Sequence, residues 1–153
     1  MANKLYSLVL QKGTEKKDLV DDFSVVCLEV PMAIQAEIMD FSSTEYYGED
    51  GEDTYFPEES TVKAFDWKVK LGTLAATVST CVKQFTTFIN YLTGKDGEGT
   101  ELSVYSAWTG VGHNKVYCKQ VSEPEFSRDS QGNSIASFEV TFRITNPLDL
   151  ITL

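Results

Sequence analysis

Residues 74–92, LAATVSTCVKQFTTFINYL, contain the pattern that decides the fold. Apolar side chains recur there at steps of three and four residues, which places them on one side of an α-helix. They are Val78, Cys81, Val82, Phe85, Phe88, Ile89 and Leu92. Thr73 or Thr77 can cap the start of this helix, and Gly94 can end it in the left-handed conformation. Nearly all of the remaining chain alternates as strands do, so the helix is expected to cover a sheet.

Two segments that flank this helix have the strict alternation of half-buried antiparallel strands. Residues 62–71 place Phe65, Trp67, Val69 and Leu71 on one side, and Gly72 is expected to end this strand. Residues 135–145 form the longest alternating segment. Its inward side chains are Ala136, Phe138, Val140, Phe142 and Ile144. The predicted core joins the two strands to the helix through Phe65, Trp67, Val69, Phe85, Phe88, Ile89, Phe138, Val140 and Phe142.

Shorter strands are predicted over residues 5–10, 23–30, 102–108 and 115–121, and residues 33–39 read as a strand or a short helix. Residues 11–22 are polar and predict a loop or a hairpin arm. Residues 109–114, TGVGHN, and 128–133, RDSQGN, predict turns, and residues 148–153 form a short apolar tail. These segments together predict a mainly β fold, an antiparallel β-sandwich or partial barrel with one packed α-helix.

The composition fits a single domain over residues 1–153 and narrows the classes of function. The net charge is −10, from 13 basic and 23 acidic residues, which argues against a protein that grips nucleic acid. No apolar run reaches the roughly 18 residues of a membrane span, so no membrane partner is expected. The first thirteen residues are too short and too polar for a signal peptide, which indicates folding in a cytosol.

The search for chemistry-bearing motifs predicts no catalytic residue, no metal ligand and no cofactor. Cys27, Cys81 and Cys118 are too far apart for a metal motif and are expected to be buried free thiols. His113 is the only histidine and falls in a predicted surface turn. The segment GKDGEGT at residues 94–100 has its lysine before the last glycine, unlike a phosphate-binding loop.

Residues 41–60, FSSTEYYGEDGEDTYFPEES, combine seven acids with five aromatic residues and contain no base. We predict a long exposed loop or flexible hairpin whose Tyr46, Tyr47, Tyr55 and Phe56 contact a neighbouring subunit. Glu49, Asp50, Glu52 and Asp53 are the candidate acids of the loop or of a channel lumen. A solvated acidic loop and a structural calcium site remain alternatives, although the spacing of an EF-hand is not met.

The order of these elements resembles that of a known family. An acidic loop, GEDGEDTYFPEE, and a strand, VKAFDWKVKL, precede the helix VSTCVKQFTTFINYL. A hairpin, ELSVYSAW–TGVGHN–KVYCKQV, and a closing strand, ASFEVTFRITNPL, follow it. This sequence of elements resembles the N-terminal ring domain of phage distal tail proteins and, more loosely, the tail-tube fold.

The resemblance implies a non-enzymatic structural protein of the virion tail, made in the cytoplasm of the host bacterium. Its subunits would form a homo-oligomeric ring, commonly a hexamer, with other phage tail proteins as partners. DNA would pass through the ring without specific binding, since an acidic wall repels phosphates. Two other functions are open from the residues alone: a monomeric β-sandwich that binds a ligand or carbohydrate through residues 41–60, and a small hydrolase with unrecognised carboxylates.

Overall fold

The computed structural model describes residues 7–31 and 35–152. Its strands are β1 (Leu8–Lys12), β2 (Glu15–Asp18), β3 (Val25–Glu29), β4 (Ser43–Thr44), β5 (Asp53–Thr54), β6 (Phe65–Ala75), β7 (Leu102–Ser106), β8 (Val111–Val121), β9 (Glu125–Arg128), β10 (Ser134–Ile144) and β11 (Leu150–Thr152). The described helices are α1 (Leu19–Phe23) and α2 (Val78–Thr93). The predicted mainly β class is confirmed.

Nine of these strands form one antiparallel sheet that curls into a half-barrel. The strand order is β2-β1-β7-β8-β10-β6-β3, while β9 pairs with β10 and β11 pairs with β8. Strands β4 and β5 form a separate two-stranded sheet. Of the two architectures expected, the partial barrel is therefore the one observed.

The centre of the sheet is the pairing of β6 with β10, which runs from Phe65 opposite Ile144 to Ala75 opposite Ser134. The predicted inward side chains of both strands are buried, as their alternation indicated. The expectation that Gly72 ends β6 is wrong, because the strand continues to Ala75. Gly72 lies inside the ladder, where a Cβ would come within 3.3 Å of the Ala136 carbonyl oxygen and of the Leu28 side chain.

Helix α2 packs against the buried side of the sheet, and its ends match the sequence. The Thr77 hydroxyl accepts a hydrogen bond from the Thr80 amide at 3.2 Å, and Gly94 takes a φ of 78° at the C-cap. The buried stripe is narrower than predicted. Cys81, Phe88, Tyr91 and Leu92 are buried, Phe85 and Ile89 are partly buried, and Val78 and Val82 are exposed.

The structure contains a second helix, α1, which was not predicted. It occupies the junction of the segments 11–22 and 23–30. Residues 11–18 do form a hairpin arm, β1–β2, but Phe23 belongs to α1 and not to a strand. Asp18 caps this helix by accepting hydrogen bonds from the amides of Val20 and Asp21, and Ser24 ends it at a φ of 56°. The Phe23 ring packs on Phe88 with a centroid distance of 5.3 Å.

Three local predictions near the ends of strands are also corrected. The turn expected at residues 109–114 lies earlier, because β8 already begins at Val111. His113 is therefore a buried strand residue with 3% exposure, and its ring meets Phe65 edge-on at 6.5 Å. The short strands β9 and β11 were not predicted. The predictions for residues 5–6, 33–34 and 153 lie outside the described residues. In the described part of the segment 33–39, Ile38 makes one isolated β-bridge with Val62.

Candidate functional site

Residues 41–60 form a projecting hairpin, which we call the arm. Ser43 pairs with Thr54 and Thr44 with Asp53, and the Tyr55 amide donates to the Ser42 carbonyl oxygen at 2.8 Å. The tip turns at Gly48 and Gly51, whose φ angles of 85° and 73° favour glycine. The predicted flexible hairpin is thus a short ladder with a glycine-containing tip.

The two chain segments at the base of the arm are hydrogen-bonded to each other. The Met39 amide donates to the Thr61 carbonyl oxygen at 2.7 Å, and the Lys63 amide donates to the Glu37 carbonyl oxygen at 2.7 Å. The side chains of Lys63 and Glu37 add an ion pair at 3.5 Å. Because β6 begins at Phe65, these bonds fix the base of the arm near the start of the central strand pair.

The four predicted contact residues are all exposed in the single chain. Tyr46, Tyr47, Tyr55 and Phe56 each leave more than half of their surface open to solvent. Only the Phe56 ring has a described aromatic neighbour, Phe41, at a centroid distance of 5.8 Å in an edge-on arrangement. So much exposed aromatic surface on one hairpin is typical of a protein contact.

The predicted acids lie beside these aromatic residues at the tip. Glu49, Asp50, Glu52 and Asp53 are exposed, and the Glu52 carboxylate accepts a hydrogen bond from the Thr54 hydroxyl at 3.1 Å. Within the described ranges, no group of three or more histidine, cysteine, aspartate or glutamate residues is placed to hold a metal ion. The arm is therefore a surface of negative charge and aromatic rings.

A second charged surface lies on the exposed side of β6, β8 and β10 and contains Asp66, Lys68, Lys70, Lys119 and Arg143; we call it the outer face. Asp66 joins three strands there, since its carboxylate pairs with Lys119 of β8 at 2.9 Å and with Arg143 of β10 at 2.8 Å. These two hydrogen-bonded cations hold the pKa of Asp66 below its ordinary value. Lys70 pairs with Glu29 at 3.4 Å, and Lys68 is exposed between these pairs.

The outer face contains a shallow groove of about 220 Å³. Its lining is polar and contains equal numbers of lysines and acids: Lys68, Lys119, Asp66, Glu139, Gln120, Ser122 and Thr141. The alternation of residues 62–71 predicts Asp66, Lys68 and Lys70 on the side opposite Phe65 and Trp67, and all three are exposed there. The cross-strand partners from β8 and β10 could not be found without the register.

The cysteines have no partner cysteine, as the sequence predicted, and they differ in burial. Cys81 is buried and its thiol donates to the Ser134 carbonyl oxygen at 3.2 Å, whereas Cys27 and Cys118 are only partly buried. Burial raises the pKa of the Cys27 thiol to about 11 and also raises that of Cys118. Thiols with raised pKa are poor nucleophiles at neutral pH, so neither has the character of a catalytic cysteine.

None of the described helices is long and apolar enough to cross a membrane. No protein-family model matches the chain, and no curated protein matches its sequence.

Among solved structures, the half-barrel fold with its packed helix has a clear counterpart. It is that of the SPP1 Dit (gp 19.1) protein, described as a paradigm of hub adsorption apparatus in Gram-positive infecting phages. The chain is similar to it with a TM-score of 0.60 and 15% sequence identity. The match covers 92% of this chain and 50% of the Dit chain, so this chain spans about half the length of that protein.

Two more structures have lower TM-scores. One is the sheath/tube terminator of the extracellular contractile injection system PVC, with a TM-score of 0.36, 16% identity and coverage of 100% of this chain and 97% of that chain. The other is the tube-terminating cap of the anti-feeding prophage, with a TM-score of 0.34, 14% identity and coverage of 97% and 89%.

Proposed function

We propose that this chain is a structural component of a phage tail that forms a ring around a channel for DNA, as a distal tail or tail-tube-like protein. The observation that supports the proposal is the fold shared with the SPP1 Dit protein over 92% of this chain. The chain would be made in the host bacterial cytoplasm and assembled into the virion tail beside other tail proteins. In this role it performs no catalysis.

The arm supports the assembly part of the proposal. A single chain exposes four aromatic side chains on one hairpin, and transfer of apolar surface from water contributes about 25 cal/mol per Å². Burial of this surface against a neighbour would therefore stabilise an oligomer. We place Tyr46, Tyr47, Tyr55 and Phe56 in the contact between subunits.

The ends of the main sheet support a closed arrangement. Strands β2 and β3 stand at its two ends and each leaves one edge unpaired within the described chain. Neighbouring subunits in a ring can cover such edges. A head-to-tail contact between subunits gives a closed ring when the rotations from one subunit to the next add up to a full turn. Six copies is the number that the resemblance to distal tail proteins suggests. Each copy adds a net charge of −10, which opposes tight binding of passing DNA.

Light scattering and electron microscopy of the purified protein test this function. We expect a ring at micromolar concentration and a mass of several subunits. A monomer across a wide concentration range would overturn the proposal and would favour the alternative, a monomeric module that binds a ligand through the arm. Glycan-array binding by such a monomer would then identify the class of ligand.

Deletion of residues 48–54 tests the role of the arm. This segment contains the acidic tip and none of the buried core, so we expect the variant to melt cooperatively and near the parent temperature. Assembly should become weaker, measured as the fraction of rings at fixed concentration. A deletion variant that assembles as well as the parent would show that the arm has another role.

A further inference from the structure

We propose that Asp50 and Gly51 at the tip of the arm form a site of spontaneous chemical modification, at which the aspartate isomerises to isoaspartate in the unassembled chain. The reacting groups are the side-chain carboxyl of Asp50 and the backbone nitrogen of Gly51. The inference does not rest on the proposed ring, since it concerns a single chain in water. It follows from the contrast between two aspartate–glycine pairs in the same protein, one at residues 50–51 and one at residues 96–97.

The reaction needs only water and the chain itself. The Gly51 nitrogen attacks the Asp50 Cγ, a C–N bond forms, and the carboxyl hydroxyl leaves with the amide hydrogen as one molecule of water. The product is a five-membered succinimide. Water then adds to one of the two carbonyl carbons of this ring and breaks the bond from that carbon to nitrogen. Addition at Cγ restores aspartate, whereas addition at the backbone carbonyl carbon gives isoaspartate, whose backbone runs through Cβ and Cγ.

The glycine leaves the attacking nitrogen accessible. Gly51 has no Cβ beside this nitrogen, and its φ of 73° is one that other residues rarely adopt. A Cβ built on Gly51 would meet no atom within 4 Å outside its chain neighbours. The tip is therefore open on this side, with room for water to enter and for the succinimide to form.

Both reacting groups at the tip are unrestrained. Asp50 is exposed, and its carboxylate makes no hydrogen bond or ion pair with another described residue. The Gly51 amide likewise donates to no group in the described part of the chain. The hydrogen bond in the preceding turn joins the Glu49 amide to the Tyr46 carbonyl oxygen at 3.2 Å and involves neither reacting group. Rotation about the bonds of Asp50 can therefore bring its Cγ to the nitrogen.

The second aspartate–glycine pair is held at both of its reacting groups. The Asp96 carboxylate accepts hydrogen bonds from the Glu98 amide at 3.1 Å and from Lys12 Nζ at 3.2 Å. The Gly97 amide donates to the Gly94 carbonyl oxygen at 3.1 Å. Attack at this pair requires these hydrogen bonds to break first, so the fold protects it.

Protonation adds to the protection of Asp96. The neutral carboxyl is the reactive form, because a carboxylate resists attack and cannot release its oxygen as water. The hydrogen bonds from the Glu98 amide and from Lys12 hold the pKa of Asp96 below its ordinary value. At a given pH, a smaller fraction of this carboxyl is therefore neutral, and its reaction is slower.

Ageing of the purified protein tests the proposal. The folded protein is diluted until light scattering shows single chains, and it is then incubated at mildly acidic pH below its melting temperature. Protein isoaspartate methyltransferase with labelled S-adenosylmethionine detects isoaspartate, and peptide mapping assigns the label to residue 50 or 96. We expect the label at residue 50 to accumulate at least several times as fast as that at residue 96. In the urea-unfolded chain the two rates should become similar, because only the fold distinguishes the two pairs.

Asp50→Glu is the variant that removes the reaction and keeps the charge. Its carboxyl is one methylene farther from the backbone, so the attack would have to close a six-membered ring, which forms more slowly. This variant should lose the label in the arm. The matched control is Asp53→Glu in the same hairpin, where threonine follows the aspartate, and it should age as the parent does.

Two results would overturn the proposal: equal labelling of residues 50 and 96 in the folded protein, or no label at residue 50. Neither result bears on the proposed ring, and a parent that stays monomeric at every concentration would leave the isomerisation standing. The failure of this inference and the failure of the proposed function are therefore distinguishable.

Discussion

Phe85 and Phe88 lie three residues apart on α2 but differ in burial, and their replacement should cost different amounts of stability. Phe88 is fully buried between Phe23 and Phe138, so Phe88→Ala should lower the free energy of unfolding by about 3–5 kcal/mol. Phe85 keeps part of its ring in solvent although it meets Phe138 edge-on at 4.7 Å. For Phe85→Ala we expect roughly 1–2 kcal/mol. Guanidinium unfolding measures both values, and equal losses would contradict the assigned orientation of the helix.

Lys12 holds the end of α2 through its ammonium group. Its Nζ donates to the Tyr91 carbonyl oxygen at 2.5 Å and pairs with Asp96 at 3.2 Å, and its side chain is only 7% exposed. Lys12→Met keeps the apolar stem but leaves that carbonyl without this donor, so we expect a loss of about 1–3 kcal/mol in denaturant unfolding. Lys95→Met at an exposed position is the control and should change stability little. A loss as small as that of the control would show that water replaces the lysine.

The sequence could not predict the partners of Lys12, because Tyr91 lies 79 residues away. A period of 3.6 placed Phe88 and Cys81 correctly, since burial of a helix face depends on local spacing. The same period assigned Val78 and Val82 to the core. It could not show that the sheet under the start of α2 leaves those two positions exposed. His113 was misplaced for a related reason, because a glycine-containing segment such as TGVGHN resembles a turn even where it enters a strand.

At the scale of secondary-structure elements, Asp66 connects β6 to β8 across β10 and should make the sheet sensitive to acid. The pKa of Asp66 is lowered in the folded state by its hydrogen bonds to Lys119 and Arg143. Its contribution to stability is therefore complete above the unfolded-state pKa near 4 and is lost as pH falls through the lower folded-state value. Asp66→Asn should reduce the dependence of melting temperature on pH below about pH 4. Asp53→Asn in the arm is the control. Equal dependence of melting temperature on pH in the two variants would contradict the role of the ion pairs of Asp66 with Lys119 and Arg143.

Long elements were predictable from the sequence and short ones were not. Strands β6 and β10 have eleven residues each and alternate over most of their length, which leaves little ambiguity between strand and helix. Helix α1 and strands β9 and β11 have five residues or fewer, and pairing with a neighbour decides their conformation more than local pattern does. The position of Gly72 shows the same limit, because a glycine can mark either the end of a strand or a close approach inside one.

At the scale of the whole molecule, the distribution of charge predicts weak interaction with DNA. The acids of the arm are exposed, and most cations of the outer face are already paired with carboxylates. We expect no shift of duplex DNA in a gel at physiological salt, since the net charge of −10 repels phosphates. A shift that disappears as salt rises and that is lost in Lys68→Glu/Lys70→Glu would contradict this prediction and would make the outer face a phosphate-binding surface.

The two parts of the candidate site differed in how far the sequence could predict them. The acids and aromatic residues of the arm are neighbours along the chain, so their clustering needed no knowledge of the fold. The outer face combines residues of β6, β8 and β10, which come together only through the register of the sheet. The sequence therefore indicated the arm as a unit, but only the β6 part of the outer face.

The order of strands in the sheet has a consequence for how the chain reaches its native state. Strand β1 pairs with β7, where Leu10 stands opposite Val104, and the central strand β10 joins β6 to β8. Contacts between residues so distant in sequence slow the search for the folded state, because loop closure must precede them. On the ribosome, about two thirds of the chain is made before β7 and β10, the strands with which β1 and β6 pair. The acidic residues of this part then have a second effect, because repulsion between like charges opposes the aggregation of incompletely folded chains.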